Sequence, residues 1–242
     1  MGNYHSKKEA LLDFYAYWKK HCPQLEDFHW RWLTDNGEIL AMKRGQPISE
    51  FPHQQSVLYI VLAGVLAKER YCPVRREKLI LTVALPYMGF FTTIHIFSNR
   101  PALGDLVCIQ PGLLLKIPYK AIALNRDQEA AIETLIDLLG NKKKSQLDHL
   151  RVIATIPNIM DRYFYFADNL PHLATTLSQN QQAMLLHVSE RSIQRARLLF
   201  GRLRLDVVGR LCLDFSADPL KIGNFPPSCV VVLAKIPAVS LK

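Results

Sequence analysis

Arg191, Gln194 and Arg195 are the residues of this 242-residue chain whose types and spacing best suit a chemical task. At about 100° per residue they share one face of a helix, while Ile193, Ala196 and Phe200 share the opposite face. A guanidinium can bond bidentately to guanine O6 and N7, a carboxamide can do so to adenine N6 and N7, and either can fall back on phosphate. The chemistry is therefore the reading of base edges in a DNA major groove. The same spacing also fits a plain helical hairpin with a solvated basic face, since exposed helix surfaces commonly carry arginine.

The elements that must position these side chains lie between Ser178 and Phe200, read as two short helices joined by a tight turn. Ser178 and Ser189 have hydroxyls placed to cap the first and second helix. Leu186-His187-Val188 makes the corner, and Ala183 is small where the helices must approach. Leu186, Val188, Ile193 and Ala196 supply apolar contacts that hold the second helix across the first. Two residues fit this plan poorly. Gln182 stands where an apolar residue is expected, and His187 stands where glycine would most easily adopt positive φ. Leu198 points more outward than inward.

Ser178-Gln179, Ala183, Val188-Ser189 and Arg195 resemble the helix-turn-helix of the Crp/Fnr superfamily of bacterial transcription regulators. Asp161-Arg162-Tyr163 and Asn169-Leu170-Pro171 resemble the run preceding that motif in a Bacteroidetes-type branch, and the likeness can be followed from about residue 24 to 215. It implies an α+β chain: an N-terminal antiparallel β-roll (a cyclic-nucleotide-binding-like jelly roll), a long dimerisation helix and a C-terminal winged helix-turn-helix. Its implied partners are double-stranded DNA, a second copy of the chain and a contact with RNA polymerase. In that scheme Arg191, Gln194 and Arg195 read bases and Glu190 accepts from cytosine N4. Ser178, Gln179, Ser189, Arg197, Arg202 and Arg204 complete the DNA-facing set, chiefly by holding phosphates.

Bulk properties agree with a polyanionic partner. The formal charge is +9, and between Glu190 and Arg210 six arginines face only two acids. A hydrophobic content of 49% allows a sizeable core. The five cysteines, Cys22, Cys72, Cys108, Cys212 and Cys229, show no CxxC pairing, so neither a metal site, an iron-sulfur cluster nor any other cofactor is expected. The histidines occur singly and no catalytic signature is present, which argues against an enzyme; His95 with Cys108 is the least implausible couple. Without a long apolar run or an apolar leader, the expected location is the cytoplasm.

Taken in order, the chain predicts helices over Lys7–Lys20 and Leu25–Leu33, then short strands at 39–43, 57–62, 65–70, 78–84, 103–109 and 113–117. Turn signals at Ala63-Gly64 and Gln110-Pro111-Gly112 separate two of the pairs. Asn125–Thr155 predicts a helix of about 45 Å. Its apolar stripe needs either the same helix of a second subunit or a break near Gly140-Asn141 that folds both parts onto the chain's own domain. Residues 158–172 predict another helix, and Leu203–Val207 with Leu211–Phe215 resemble the wing. The expected domains are 1–124 (roll with N-terminal helices), 125–156 (dimerisation helix), 157–215 (DNA-binding domain) and 216–242, a tail without a counterpart in which Cys229–Leu233 could add a strand.

In cyclic-nucleotide-binding relatives a Gly-Glu and a later Arg-Ser/Thr-Ala hold ribose and phosphate. The corresponding positions here are Gly89-Phe90 and Arg100-Pro101-Ala102. Phe90 has no carboxylate, and Pro101 has neither hydroxyl nor N–H, so cyclic AMP is not the expected effector. Phe90, Phe91, Ile94 and Phe97 could instead line an apolar pocket for an uncharged or lipid-like effector. A second reading of the whole chain is a roll that binds an effector or a protein and whose C-terminal domain no longer recognises DNA. Gln182, His187 and the tail favour it.

Overall fold

The computed structural model describes residues 6–53, 55–126 and 130–217, with the backbone alone for 125, 126 and 204–217. Helix α1 (Lys7–His21) starts where the Ser6 hydroxyl accepts from the Glu9 amide at 3.1 Å, and α2 spans Asp27–Asn36. Ala10, Leu11, Phe14 and Trp18 recur every three or four residues of α1 or stand adjacent on the same side, and all are buried. With Trp32 and Leu33 of α2 they cover one face of the sheet.

That sheet is antiparallel throughout and has six strands: β1 (Glu38–Met42), β2 (Pro47–Ser49), β3 (Val57–Cys72), β4 (Glu77–Ala84), β5 (Gly89–Phe91) and β6 (Asp105–Pro118). The path runs β1-β6-β3-β4, with β2 also on β6 and β5 also on β3. Leu58, Ile60 and Leu62 point to the helices, whereas Val57, Tyr59 and Val61 join Phe90, Leu106, Cys108 and Leu114 in a second core inside the roll. The alternation is the period-two pattern of a strand buried on both faces.

Two expected turns are absent. The runs 57–62 and 65–70 form the single strand β3, and 103–109 with 113–117 form the single strand β6. The turn signals become opposed irregularities instead, because the register slips at Val61/Ala63, Ala63/Val65 and Val65/Leu66 directly across from Gln110-Pro111-Gly112. A β-bulge bends a strand without ending it. Glycine is required on both sides: Gly64 has φ +82°, and a Cβ on Gly112 would lie 2.0 Å from the Ala63 carbonyl oxygen. Two long strands thus kink together, which curls the sheet into a roll.

After β6 come α3 (Tyr119–Arg126) and α4 (Ala130–Thr155) where one helix was expected from Asn125. Helix α4 passes Gly140 without a break and measures about 39 Å at 1.5 Å per residue. Ala131, Ile132, Leu135 and Leu139 enter the core shared with Leu58, Ile60 and Leu115, so the first half of its stripe is satisfied by its own roll. The expected helix 158–172 is divided into α5 (Ile159–Asn169) and α6 (Pro171–Thr176), since Pro171 cannot continue the first and suits the opening turn of the second. Helices α7 (Gln179–Leu186) and α8 (Glu190–Ala217) complete the described chain.

The wing expected at Leu203–Val207 and Leu211–Phe215 is not formed; both segments belong to α8. No proline occurs between Pro171 and Pro219, Leu and Arg are good helix formers, and a Cβ on Gly201 would meet nothing within 4 Å. One glycine costs a helix only about 1 kcal/mol relative to alanine, which a 28-residue helix tolerates. The described residues fall into two compact units that divide between Gln194 and Arg195, inside α8. The tail strand expected at Cys229–Leu233 lies outside the described residues. No described helix is long and apolar enough to cross a membrane.

Because the added methyl of Gly112→Ala would press on the backbone of Ala63, this variant should lose about 1–3 kcal/mol of stability. Urea unfolding measures it, and an unchanged midpoint would show that the shared kink can relax.

Candidate nucleic-acid interface

Helix α7 begins with a reciprocal cap. The Ser178 hydroxyl accepts from the Gln181 amide at 3.3 Å, and the Gln181 side chain accepts from the Ser178 amide at 2.9 Å. At its other end the His187 and Val188 amides both reach the Ala183 carbonyl. Small Ala183 is buried, as are Leu185 and Leu186. The start of α8 is held by Ser189, whose hydroxyl accepts from the Ser192 amide at 3.2 Å.

The two residues that fitted the motif poorly have specific partners. Gln182 is wholly buried, and its Nε2 donates at 2.8 Å to both the Ala174 and the Leu177 carbonyls, satisfying acceptors at the end of α6 that an apolar side chain would leave bare. His187 adopts φ +56° and ψ 44°, the left-handed conformation of a corner. Its carbonyl accepts from Nη1 and Nη2 of Arg75, both at 3.2 Å. Arg162 does similar work beside it: Nη1 donates to the Leu186 carbonyl at 3.1 Å, while Nε and Nη2 donate to Ile156. Two guanidinium groups thus stand at the electronegative end of α7. Desolvation by burial first, then both arginines, lowers the His187 pKa.

Along α8, Ile193 and Ala196 are fully buried, whereas Glu190, Arg191, Gln194, Arg195, Arg197 and Arg202 are exposed. Arg191, Gln194 and Arg195 therefore stand together on an open face, as their spacing requires. Ser178 and Ser189 are exposed and Gln179 is half-exposed. Arg204 lies in α8 at a position where only the backbone is described. Leu198 is 61% exposed, in keeping with its outward reading. The sequence reading gave no role to Arg75 and quoted Arg162 only within Asp161-Arg162-Tyr163; their carbonyl partners lie far along the chain.

In the roll, Gly89 and Phe90 sit in β5, with Phe90 wholly buried in the inner core. Arg100 is exposed, Pro101 bridges to Thr93, and the Ala102 amide donates to the Thr92 carbonyl at 2.9 Å. The apolar pocket expected of Phe90, Phe91, Ile94 and Phe97 does not assemble. Phe90 is core and Phe91 packs against the core, while Ile94 and Phe97 are 62% and 60% exposed, because the chain after β5 turns outward. His95 and Cys108 each have other partners: His95 Nδ1 accepts from Phe97 N, and Cys108 Sγ donates to Gln110 O. Burial pushes the Cys108 thiol up.

What does gather around Phe90 is a pair of lysines. Lys143 Nζ of α4 lies 4.4 Å from the ring centroid and Lys68 Nζ of β3 lies 5.2 Å from it. Burial lowers Lys143 to about 7, with the Lys68 charge as the second cause, and burial lowers Lys68 to about 8. Both oppose the charged form.

The fold is a cyclic-nucleotide-binding-like β-roll with a C-terminal helical domain, the architecture of Crp/Fnr-type regulators. No family model and no curated protein sequence matches the chain. Solved structures do. A Crp/Fnr-family transcriptional regulator from Eubacterium rectale is similar with a TM-score of 0.57 at 14% identity, over 76% of this chain and 87% of that one. FixK2 from Bradyrhizobium japonicum gives 0.56 at 10%, over 69% and 85%. The c-di-GMP-responsive global regulator CLP from Xanthomonas campestris gives 0.54 at 12%, over 75% and 93%.

The two lysines set a pH dependence. Their folded pKa values lie below the 10.5 of a free lysine, so between about 7 and 10.5 the unfolded chain binds more protons and stability rises with pH. Lys143→Met should be more stable than the parent chain near pH 7, with the advantage shrinking towards pH 10. Thermal melts across that range test it, and a difference constant with pH would show that Lys143 keeps its charge in the folded state.

Proposed function

We propose that this chain is a sequence-specific DNA-binding transcription regulator of Crp/Fnr type that acts as a homodimer and is not controlled by cyclic AMP. One observation carries the reading: α8 exposes Arg191, Gln194 and Arg195 side by side while burying Ile193 and Ala196, and its first turn is held to a capped α7. These three side chains read base edges and Glu190 accepts from cytosine N4. Ser178, Gln179, Ser189, Arg197, Arg202 and Arg204 hold the backbone. The likeness of fold to transcriptional regulators supports the same assignment. The relatives' trade is regulation, and no described side chains assemble a catalytic set that would speak for an enzyme.

The dimer seam runs along the outer side of α4. Ile136, Gly140, Leu147, Leu150 and Ala154 recur at intervals of about 3.5 residues or multiples of it and are half-buried or exposed, which leaves them to meet a second α4. Two such chains present their α8 helices about 34 Å apart on a pseudo-palindromic site. RNA polymerase is the further partner that this type of regulator engages. The second reading, a roll that no longer recognises DNA, keeps one observation in its favour, the continuation of α8 through the segment expected as a wing.

Selection of bound sites from a random duplex library supplies the probe. On it, Arg195→Ala should weaken binding by about 1–3 kcal/mol and relax preference at one base pair. Equal loss on every sequence would place Arg195 on phosphate, and failure of the parent chain to select any duplex would favour the second reading.

Leu147→Asp should shift the chain from dimer to monomer in sedimentation velocity and abolish binding to a palindrome while leaving the roll folded. A dimer that survives this change would place the seam elsewhere.

A further inference from the structure

The roll encloses a polar cluster that the DNA-reading proposal does not use. Lys68 lies opposite Thr82 in the β3–β4 pairing, and the Thr82 hydroxyl donates to Gln146 Oε1 at 2.8 Å. The Val83 amide reaches the same oxygen at 3.3 Å. Gln146 stands one turn beyond Lys143 on α4, and Lys143 and Lys68 converge on Phe90. Thr82, Gln146 and Lys68 are 3%, 5% and 8% exposed. Among the described residues neither ammonium group has a carboxylate within 4.0 Å or a hydrogen-bond acceptor. Buried charges are ordinarily paired, and an aromatic ring is a weak substitute for a counter-ion. Met88, which borders the inner core with Phe90, and Gln146 also line an open cleft of about 530 Å³ with Leu85, Leu173 and Thr176, so the cluster adjoins a space that solutes can enter.

We propose that Lys68 and Lys143, with Thr82 and Gln146 beside them, bind a small dianion, a phosphate or a dicarboxylate group, against Phe90. Two ammonium groups match two negative charges, and a ligand with oxygens at both ends supplies the acceptors that the protein withholds. The lysines belong neither to the Gly89-Phe90 nor to the Arg100-Pro101-Ala102 segment. An uncharged effector leaves both cations unpaired. The site is independent of α8, so it stands even if the DNA reading fails.

Thermal melts of the full chain with inorganic phosphate or succinate, compared with sodium chloride at equal ionic strength, test the proposal. A saturable rise in Tm with at least one of the two is expected, and which one identifies a phosphorylated or a carboxylic ligand. Lys68→Met and Lys143→Met should each weaken the apparent affinity at least tenfold. Lys143→Gln repeats the measurement with a neutral polar side chain should the methionine variant fail to fold. The double change Arg191→Ala with Arg195→Ala should keep the response, whereas a loss there would put the anion on α8. No rise beyond that given by chloride, or a rise that survives both lysine changes, overturns the site.

Discussion

The seating of α4 on the roll fixes where the later helices begin, up to the corner before α8. Ile132, Leu135 and Leu139 are wholly or almost wholly buried, and Leu139 approaches β5 so closely that a Cβ on Gly89 would stand 3.7 Å from it. Fully burying one aliphatic side chain stabilises by roughly 1.5–3 kcal/mol, so this short apolar run is enough to fix the helix. Its rigidity then carries the register one turn further, where Lys143 reaches Phe90 and Gln146 meets Thr82. At the far end Ile156 accepts from Arg162, which also holds Leu186, so the corner before α8 is tied to the same helix.

Much of this was legible because the signals were local. Period-3.6 burial gave α1, and period-two runs gave β1, β3, β4 and β6, with hydroxyl caps marking α7 and α8. The exposed trio on α8 came from the same angular argument. Where sequence reading failed, one pattern had two physical solutions. Ala63-Gly64 and Gln110-Pro111-Gly112 carry the residues of a turn, yet those residues equally allow two backbones to approach within a bulge. Leu203-Arg204-Leu205-Asp206-Val207 alternates as a strand does, but no proline interrupts its continuity with α8.

The roll's chemistry was legible least. Lys142-Lys143-Lys144 read as a solvated interruption, and only the packing of α4 shows that the middle residue turns inward. Lys68 stands among apolar neighbours in the sequence, and nothing local distinguishes a charge that snorkels from one that is enclosed. Gln182 posed the opposite problem. It looked like a defect in an apolar position, whereas the ends of helices create a demand for donors that no hydropathy pattern displays.

The continuous α8 has a geometric consequence of its own. A helix of 28 residues extends about 42 Å, far beyond the stretch over which a curving groove can stay in contact with it. If its opening turns engage a duplex, the remainder must diverge from the helical axis of the nucleic acid. Strand-flanking grip by a hairpin is then replaced by a lever whose outer portion is free to bear on something other than DNA.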